Sequence, residues 1–171
     1  MRHELIFATA GMLLIAAAPD GVAAGAQAQP GEVVAKVREA ADLLAAQGPG
    51  ALPVLRDRHA RFTWKDTYVF VVDCDADEVL ANPAFPERQG GDIKQHSDYN
   101  GKPYGLELCR TAQQRGGGWV EYVWLKPGGS RPLRKFSYVM SVPGRSYQVG
   151  AGIYDQTLRL EDVIAIAEMS E

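Results

Sequence analysis

The hydrophobic pattern changes period several times along the chain, and each change marks an element. Residues 32–47 place Val33, Val37, Ala40 or Ala41, and Leu44 at helical spacing in an Ala- and Leu-rich stretch that Gly48-Pro49-Gly50 stops. A shorter helix is expected over 51–60, with Leu52 and Leu55 inward and Pro53 tolerated only near its first turn. Residues 67–73, Thr-Tyr-Val-Phe-Val-Val-Asp, are β-branched and aromatic almost throughout and form the clearest strand. A turn over 73–78 leads to a returning strand at 79–82. The connection 83–99 carries Pro83, Pro86, Gly90 and Gly91, and its length suits a lid over a site. A helix over 103–114 follows, ended by Gly116.

Three glycines, Gly116 to Gly118, open the next strand, and Lys126-Pro127-Gly128 closes it. Alternation sorts it into two faces, Trp119/Glu121/Val123/Leu125 and Val120/Tyr122/Trp124/Lys126. A face carrying Tyr122 and Trp124 can wall a core or a ligand pocket, because each ring has a polar handle. Strands over 134–142 and 147–154 are joined by the turn Pro143-Gly144-Arg145-Ser146, and a closing helix is expected over 158–169. This order predicts an α+β domain with a five-stranded antiparallel sheet. The long N-terminal helix covers one sheet face. The lid and middle helix cover the other, with a pocket beneath them.

At 171 residues the chain suits one domain, and a net charge of −3 with mixed signs and no basic patch argues against nucleic acid as a partner. The N-terminus has Arg2 and His3, an apolar run from Leu5 to Ala18, and the small-x-small patterns Ala24-Gly25-Ala26 and Ala26-Gln27-Ala28. These features predict a signal peptide over 1–28, cleaved after Ala28 with Ala26 as the alternative, and a domain over 29–171. The rival is an uncleaved anchor, but Pro19-Asp20 interrupts the run short of the roughly 20 residues that span a bilayer. The processed protein is then expected in the periplasm or secreted, with no stable membrane span. Cys74 and Cys109 are the only cysteines; export permits a disulfide, and spacing leaves the paired and free states open.

Several segments together carry a family resemblance. Residues 61–73 and Val79-Leu80-Ala81-Asn82-Pro83 resemble the first strands of a single Cache domain of the second type, whose members usually carry His before that Pro. Residues 116–127 resemble its central strand. Lys135-Phe136-Ser137-Tyr138-Val139 and Val149-Gly150-Ala151-Gly152-Ile153-Tyr154 resemble its last two. The resemblance runs from about Val33 to Asp155. It implies a PAS-like extracytoplasmic sensor that binds small organic molecules, often short carboxylates. Such domains usually sit in chemoreceptors and sensor kinases. Here a stand-alone binding protein is expected, acting through a membrane receptor, kinase or transporter.

The candidate site follows from these faces. Tyr68 with Phe70, Tyr122 with Trp124, and Phe136 with Tyr138 each share a strand face, and together they make either an aromatic ligand box or a dry core. The resemblance points to Lys135 as the cation for a carboxylate, although alternation places it opposite Tyr138; Lys126 is the fallback. His96, on the lid, is a further hydrogen-bonding candidate. Asp73, Asp75 and Asp77 have the spacing that opens a calcium loop, but Glu78 and Ala84 stand where Gly and a bidentate Glu are needed, so a solvated turn is expected and no metal. His96 with Asp92 and Asp98 is a weak metal or acid–base set. No nucleophile elbow, zinc-protease motif or phosphate loop is present, which predicts a non-enzyme without cofactor. Two rival functions stand beside the sensor: an interaction module without ligand, and a secreted hydrolase or metal-binding enzyme.

Overall fold

The computed structural model describes residues 26–170. Most of the segment read as a signal peptide therefore lies outside the described residues. Helix α1, Pro30–Gln47, begins with Pro at its first position, where the missing N–H costs nothing, and the Glu32 carboxylate accepts the Gln29 N–H at 3.0 Å. The short helix α2, Leu52–Arg56, follows a 3-10 turn at Gly48–Ala51 and ends before residue 60, short of the helix expected over 51–60.

The expected strand 67–73 is divided. Strands β1 (Thr63–Trp64) and β2 (Thr67–Tyr68) form a small hairpin around Lys65, which adopts a positive φ of 47°. Strand β3 (Phe70–Asp73) then enters the main sheet and pairs with β4 (Glu78–Ala81). After the lid come helix α3 (Tyr104–Ala112), strands β5 (Gly118–Leu125), β6 (Pro132–Ser141) and β7 (Tyr147–Tyr154), and helix α4 (Leu160–Glu168). The main sheet has five antiparallel strands in the order β4-β3-β7-β6-β5. This is the α+β architecture expected from the pattern. One detail is corrected: the aromatic strand β5 is an edge of the sheet, and the glycine-rich β7 lies at its centre.

Alternation divides the sheet between two cores. On one face Val71, Phe136, Tyr138, Val149, Ala151 and Ile153 pack against the apolar stripe of α1 and against α4. On the other face Tyr68, Phe70, Val72, Tyr122 and Val139 meet the lid and α3. Cys74, just past β3, is bonded to Cys109 of α3, with their Cα atoms 5.8 Å apart. The disulfide thus ties α3 to the sheet directly over the second core.

The lid, irregular apart from a 3-10 turn at Pro86–Arg88, is held by carboxylates within its second half and at its C-terminal end. Asp77 accepts the N–H groups of Ile93 and Lys94, at 3.0 and 2.7 Å. Asp98 accepts those of Asn100 and Lys102 and reaches across to β5 to accept the Val123 N–H at 2.8 Å. Burial alone would raise the Asp98 pKa, but these three N–H groups and the Lys102 charge outweigh it and hold the carboxyl below its ordinary value. Where the lid crosses α3, Gly105 lets the Ile93 carbonyl approach a space that a β-carbon would occupy. The Asp73 carboxylate serves its own turn, accepting the Asp75 and Ala76 N–H groups and the Ser146 hydroxyl. Among the described residues no cluster of three metal-ligating side chains forms, and no helix is long and apolar enough to cross a membrane.

Candidate ligand-binding site

The second core is not solid. Beneath the lid a cavity of about 30 Å³ is walled by Tyr68 and Phe70 from the first strands, Tyr122 and Trp124 from β5, Tyr104 from α3, and Arg88 from the lid. The rings lock one another: Tyr104 stacks on Tyr122 with centroids 4.6 Å apart, and Phe85 of the lid meets Tyr68 and Trp124 edge-on at 5.9 and 6.1 Å. The Arg88 guanidinium lies 5.1 Å from the Trp124 centroid at the rim. No Asp or Glu is among the lining residues. A cavity of this size holds only a few heavy atoms, since a single water needs about 10–15 Å³.

Lys135 lies behind this aromatic wall, against the rings of Tyr68, Phe70 and Tyr122 and outside the residues that line the cavity. It is fully buried, at 0% exposure. Its Nζ donates to the Tyr68 hydroxyl at 3.4 Å and lies 4.5, 5.2, 5.6 and 5.8 Å from the ring centroids of Tyr68, Tyr154, Phe70 and Tyr122. No carboxylate pairs with it among the described residues. Burial without a countercharge lowers its pKa from the ordinary 10.5 to about 7. The tyrosine hydroxyls shift the opposite way, since burial disfavours their charged form: Tyr68, Tyr104, Tyr122 and Tyr154 all have raised pKa values and stay neutral at physiological pH. The Tyr122 hydroxyl is paired with the Ser137 Oγ at 2.9 Å, and that of Tyr154 donates to the Leu125 carbonyl at 2.8 Å.

The backbone explains how a lysine comes to lie here. Strand β6 pairs regularly on both sides, so Lys135, Ser137 and Val139 face the lid while Phe136 and Tyr138 face α1. The Lys135 stem passes over Gly152 of β7. A β-carbon there would collide with the Phe136 carbonyl and the Ser137 hydroxyl, and would lie 3.0 Å from Lys135 Cε. The glycine thus makes room for the lysine.

Of the residues singled out from sequence, Tyr68, Phe70, Tyr122, Trp124 and Lys135 come together in this region. Tyr138 does not. Three positions along β6 from Lys135, it lies on the opposite sheet face, against Trp119 at 5.6 Å, with its hydroxyl donating to the Gly116 carbonyl. Alternation thus holds along β6, and it is the lysine that faces the lid. His96 also lies outside the cavity, in a shallow outer groove with Ser97, Tyr99, Arg88 and Trp124. Its Nε2 is 3.6 Å from Asp92 Oδ1, and partial burial, with Arg88 nearby, lowers its pKa below the ordinary 6.5. The fallback Lys126 is paired with Asp66 at 2.8 Å.

Arg88, Tyr104, Asn82 and Tyr154 were missed. Arg88 belongs to an irregular lid, where no period indicates which side chain turns inward, whereas Tyr104 was legible as an apolar position at helical spacing from Leu108 and Ala112. Tyr154 was legible: it shares the β7 face of Gly150 and Gly152 and is the cross-strand partner of Lys135.

Comparison with known proteins agrees with this geometry. Residues 58–159 match the family model described as Cache domain. The methyl-accepting chemotaxis protein McpP of Pseudomonas putida is 30% identical over 96 residues, covering 56% of this chain and 18% of that protein. The sensor histidine kinase MctS of Rhizobium johnstonii is 35% identical over 101 residues, covering 59% and 20%. The chain thus matches only about a fifth of the length of either relative. Among solved structures, a periplasmic sensor domain of a chemotaxis protein superposes with a TM-score of 0.58 at 30% identity, covering 72% of this chain and 88% of that one. A Cache chemosensory domain described for carboxylic acid recognition gives 0.57 at 26%, covering 72% and 86%. A methyl-accepting chemotaxis protein from Vibrio parahaemolyticus shares the fold, with a TM-score of 0.60 at 21% identity over 72% and 86%. With its sheet order, its lid-covered aromatic cavity and this match over more than half its length, the chain belongs to the Cache domain family and carries a single Cache domain.

Proposed function

We propose that this domain senses a small organic monocarboxylate outside the cytoplasm and passes the bound state to a membrane receptor, kinase or transporter. The observation that carries the reading is Lys135: a buried amine with no countercharge among the described residues, beside a small cavity lined in part by tyrosines and by none of the described acidic residues. A carboxylate supplies the missing charge and accepts charge-assisted hydrogen bonds in a water-poor setting. An amine or amino acid would bring a second cation to a wall with no acid to receive it, and burying that unpaired charge is strongly unfavourable. The small volume favours chains of a few carbons. Tyr68, Phe70, Tyr122 and Trp124 would hold the aliphatic part, and Arg88 would cover the entrance.

The sensing role rests on kinship with a chemotaxis protein and a sensor kinase, and the carboxylate on the Lys135 site together with the related domain described for carboxylic acid recognition. Signalling would follow from differential binding: a ligand that favours the lid-closed state shifts its population, and a partner reads that surface.

A thermal-shift series tests this directly. Acetate, propionate and butyrate are compared with ethylamine and alanine. An acid at a hundredfold its Kd should stabilise the protein by about 2.7 kcal/mol, and the amine and alanine should have no effect. No stabilisation by any of the acids, or equal stabilisation by the amine, would refute the reading and favour a packed interaction module.

A further inference from the structure

We propose that this site takes up its anion together with one proton, held by the Lys135 amine, so that affinity falls as the pH rises from 6 to 8. The inference rests on the carboxylate reading above and adds a second, protonic ligand to it.

The geometry that carries it is the isolation of the amine. Among the described residues, Lys135 Nζ has one polar neighbour within hydrogen-bonding distance, the Tyr68 hydroxyl, and four aromatic rings around it. A bare ammonium in such surroundings lacks the acceptors it would have in water, so the empty site favours the neutral amine. A bound carboxylate reverses that preference, because an opposite charge within a few ångströms favours the ammonium. The proton comes from solvent and returns to it when the ligand leaves; no covalent bond is made.

The other groups facing the amine do not titrate in this window. Strand β2 contributes Tyr68, β5 contributes Tyr122 and β7 contributes Tyr154, all kept neutral by burial, and β3 contributes only Phe70. Tyr104 of α3, stacked on Tyr122, is likewise shifted upward. The lid contributes the Arg88 guanidinium, seated over Trp124 at the rim. Asp66, whose charge acts on Tyr154, is engaged with Lys126 and with the Ala28 N–H. Partial burial, with Arg88 nearby, lowers the His96 pKa below its ordinary value, and the ring lies in the outer groove rather than in the cavity.

With the free amine titrating at about 7, the protonated fraction falls about tenfold between pH 6 and pH 8. Affinity for the anion should fall by the same factor. Calorimetric titration of the oxidised protein with acetate, propionate and butyrate at both pH values tests this. Repeating the titration at pH 8 in buffers of different ionisation enthalpy reports the proton taken up. A roughly tenfold weaker Kd at pH 8, with close to one proton absorbed per ligand, supports the inference. The same drop in His96→Gln assigns it to the cavity. Equal affinity at both pH values, or a drop that vanishes in His96→Gln, overturns the inference and leaves the carboxylate reading standing. Failure of all three acids to bind at either pH removes both. The 13Cε resonance of Lys135 in the ligand-free protein gives an independent check: a midpoint near 7 supports the inference, and one above about 9.5 overturns it even if the acids bind.

Discussion

Replacing Lys135 with methionine should make the protein more stable at pH 6, by an amount that disappears as the pH rises. The side chain is fully buried, and its amine titrates at about 7 in place of 10.5. Each pH unit between those values is worth about 1.4 kcal/mol, so holding the charged amine in the fold costs about 5 kcal/mol. Below pH 7 both the folded and unfolded chains carry the proton, and the full penalty applies without slope. Between 7 and 10.5 the unfolded chain keeps a proton that the folded one has released, so wild-type stability climbs with pH. Above 10.5 both are neutral and the penalty is gone. Methionine never carries the charge. It forfeits the 3.4 Å contact with Tyr68 and the cation–π attraction, which together offset about 1–2 kcal/mol. The expected net gain is about 3 kcal/mol at pH 6, shrinking by about 1.4 kcal/mol per unit above pH 7. Urea unfolding of both proteins at pH 6, 7, 8 and 9 measures it, and the difference between them cancels every other titrating group. A difference that stays level from pH 7 to 9, or a wild type more stable at pH 6, would refute the reasoning.

Other expectations follow from the same contacts. Breaking the Cys74–Cys109 bond by Cys→Ala at both positions should remove about 4 kcal/mol, given a loop spanning 35 residues, and should raise hydrogen exchange in α3 before the rest of the sheet. Asp98→Asn turns an amide donor toward one of three backbone N–H groups; a loss of about 2–3 kcal/mol and faster exchange of the Val123 and Lys102 amides are expected. Gly152→Ala forces the Lys135 stem and the Ser137 hydroxyl aside, so stability should fall by about 1–3 kcal/mol with loss of carboxylate binding, read by unfolding and calorimetry. N-terminal sequencing of exported protein should find Gln27 rather than Gln29. The Ala28 N–H donates to Asp66 at 2.8 Å, the Ala28 side chain is buried, and the Gln27 amide donates to the Tyr154 carbonyl, so cleavage after Ala28 would discard part of the core.

Much of this molecule could be read along the chain, because period and strand alternation are local properties. The spacing of Val33, Val37 and Leu44 is enough to specify the buried face of α1, and alternation in β5 separates Tyr122 and Trp124 from Trp119 whatever the rest of the chain does. Alternation in β6 likewise set Lys135 and Tyr138 on opposite faces. It could not say which would face the lid, since that depends on which sheet face α1 covers. The strand order belongs to the tertiary structure too: β5 became an edge and β7 the centre because pairing between distant strands leaves no mark on local spacing. The irregular lid has no period, so Arg88 reached the cavity rim and His96 the outer groove by packing alone. The cysteines carried the option of a bond, and only the packing of α3 on the sheet brought their Cα atoms to 5.8 Å. The local pattern placed a lysine in a strand. The fold decided that its amine would be sealed among aromatic rings without a countercharge, and that isolation sets both its pKa and its proposed ligand.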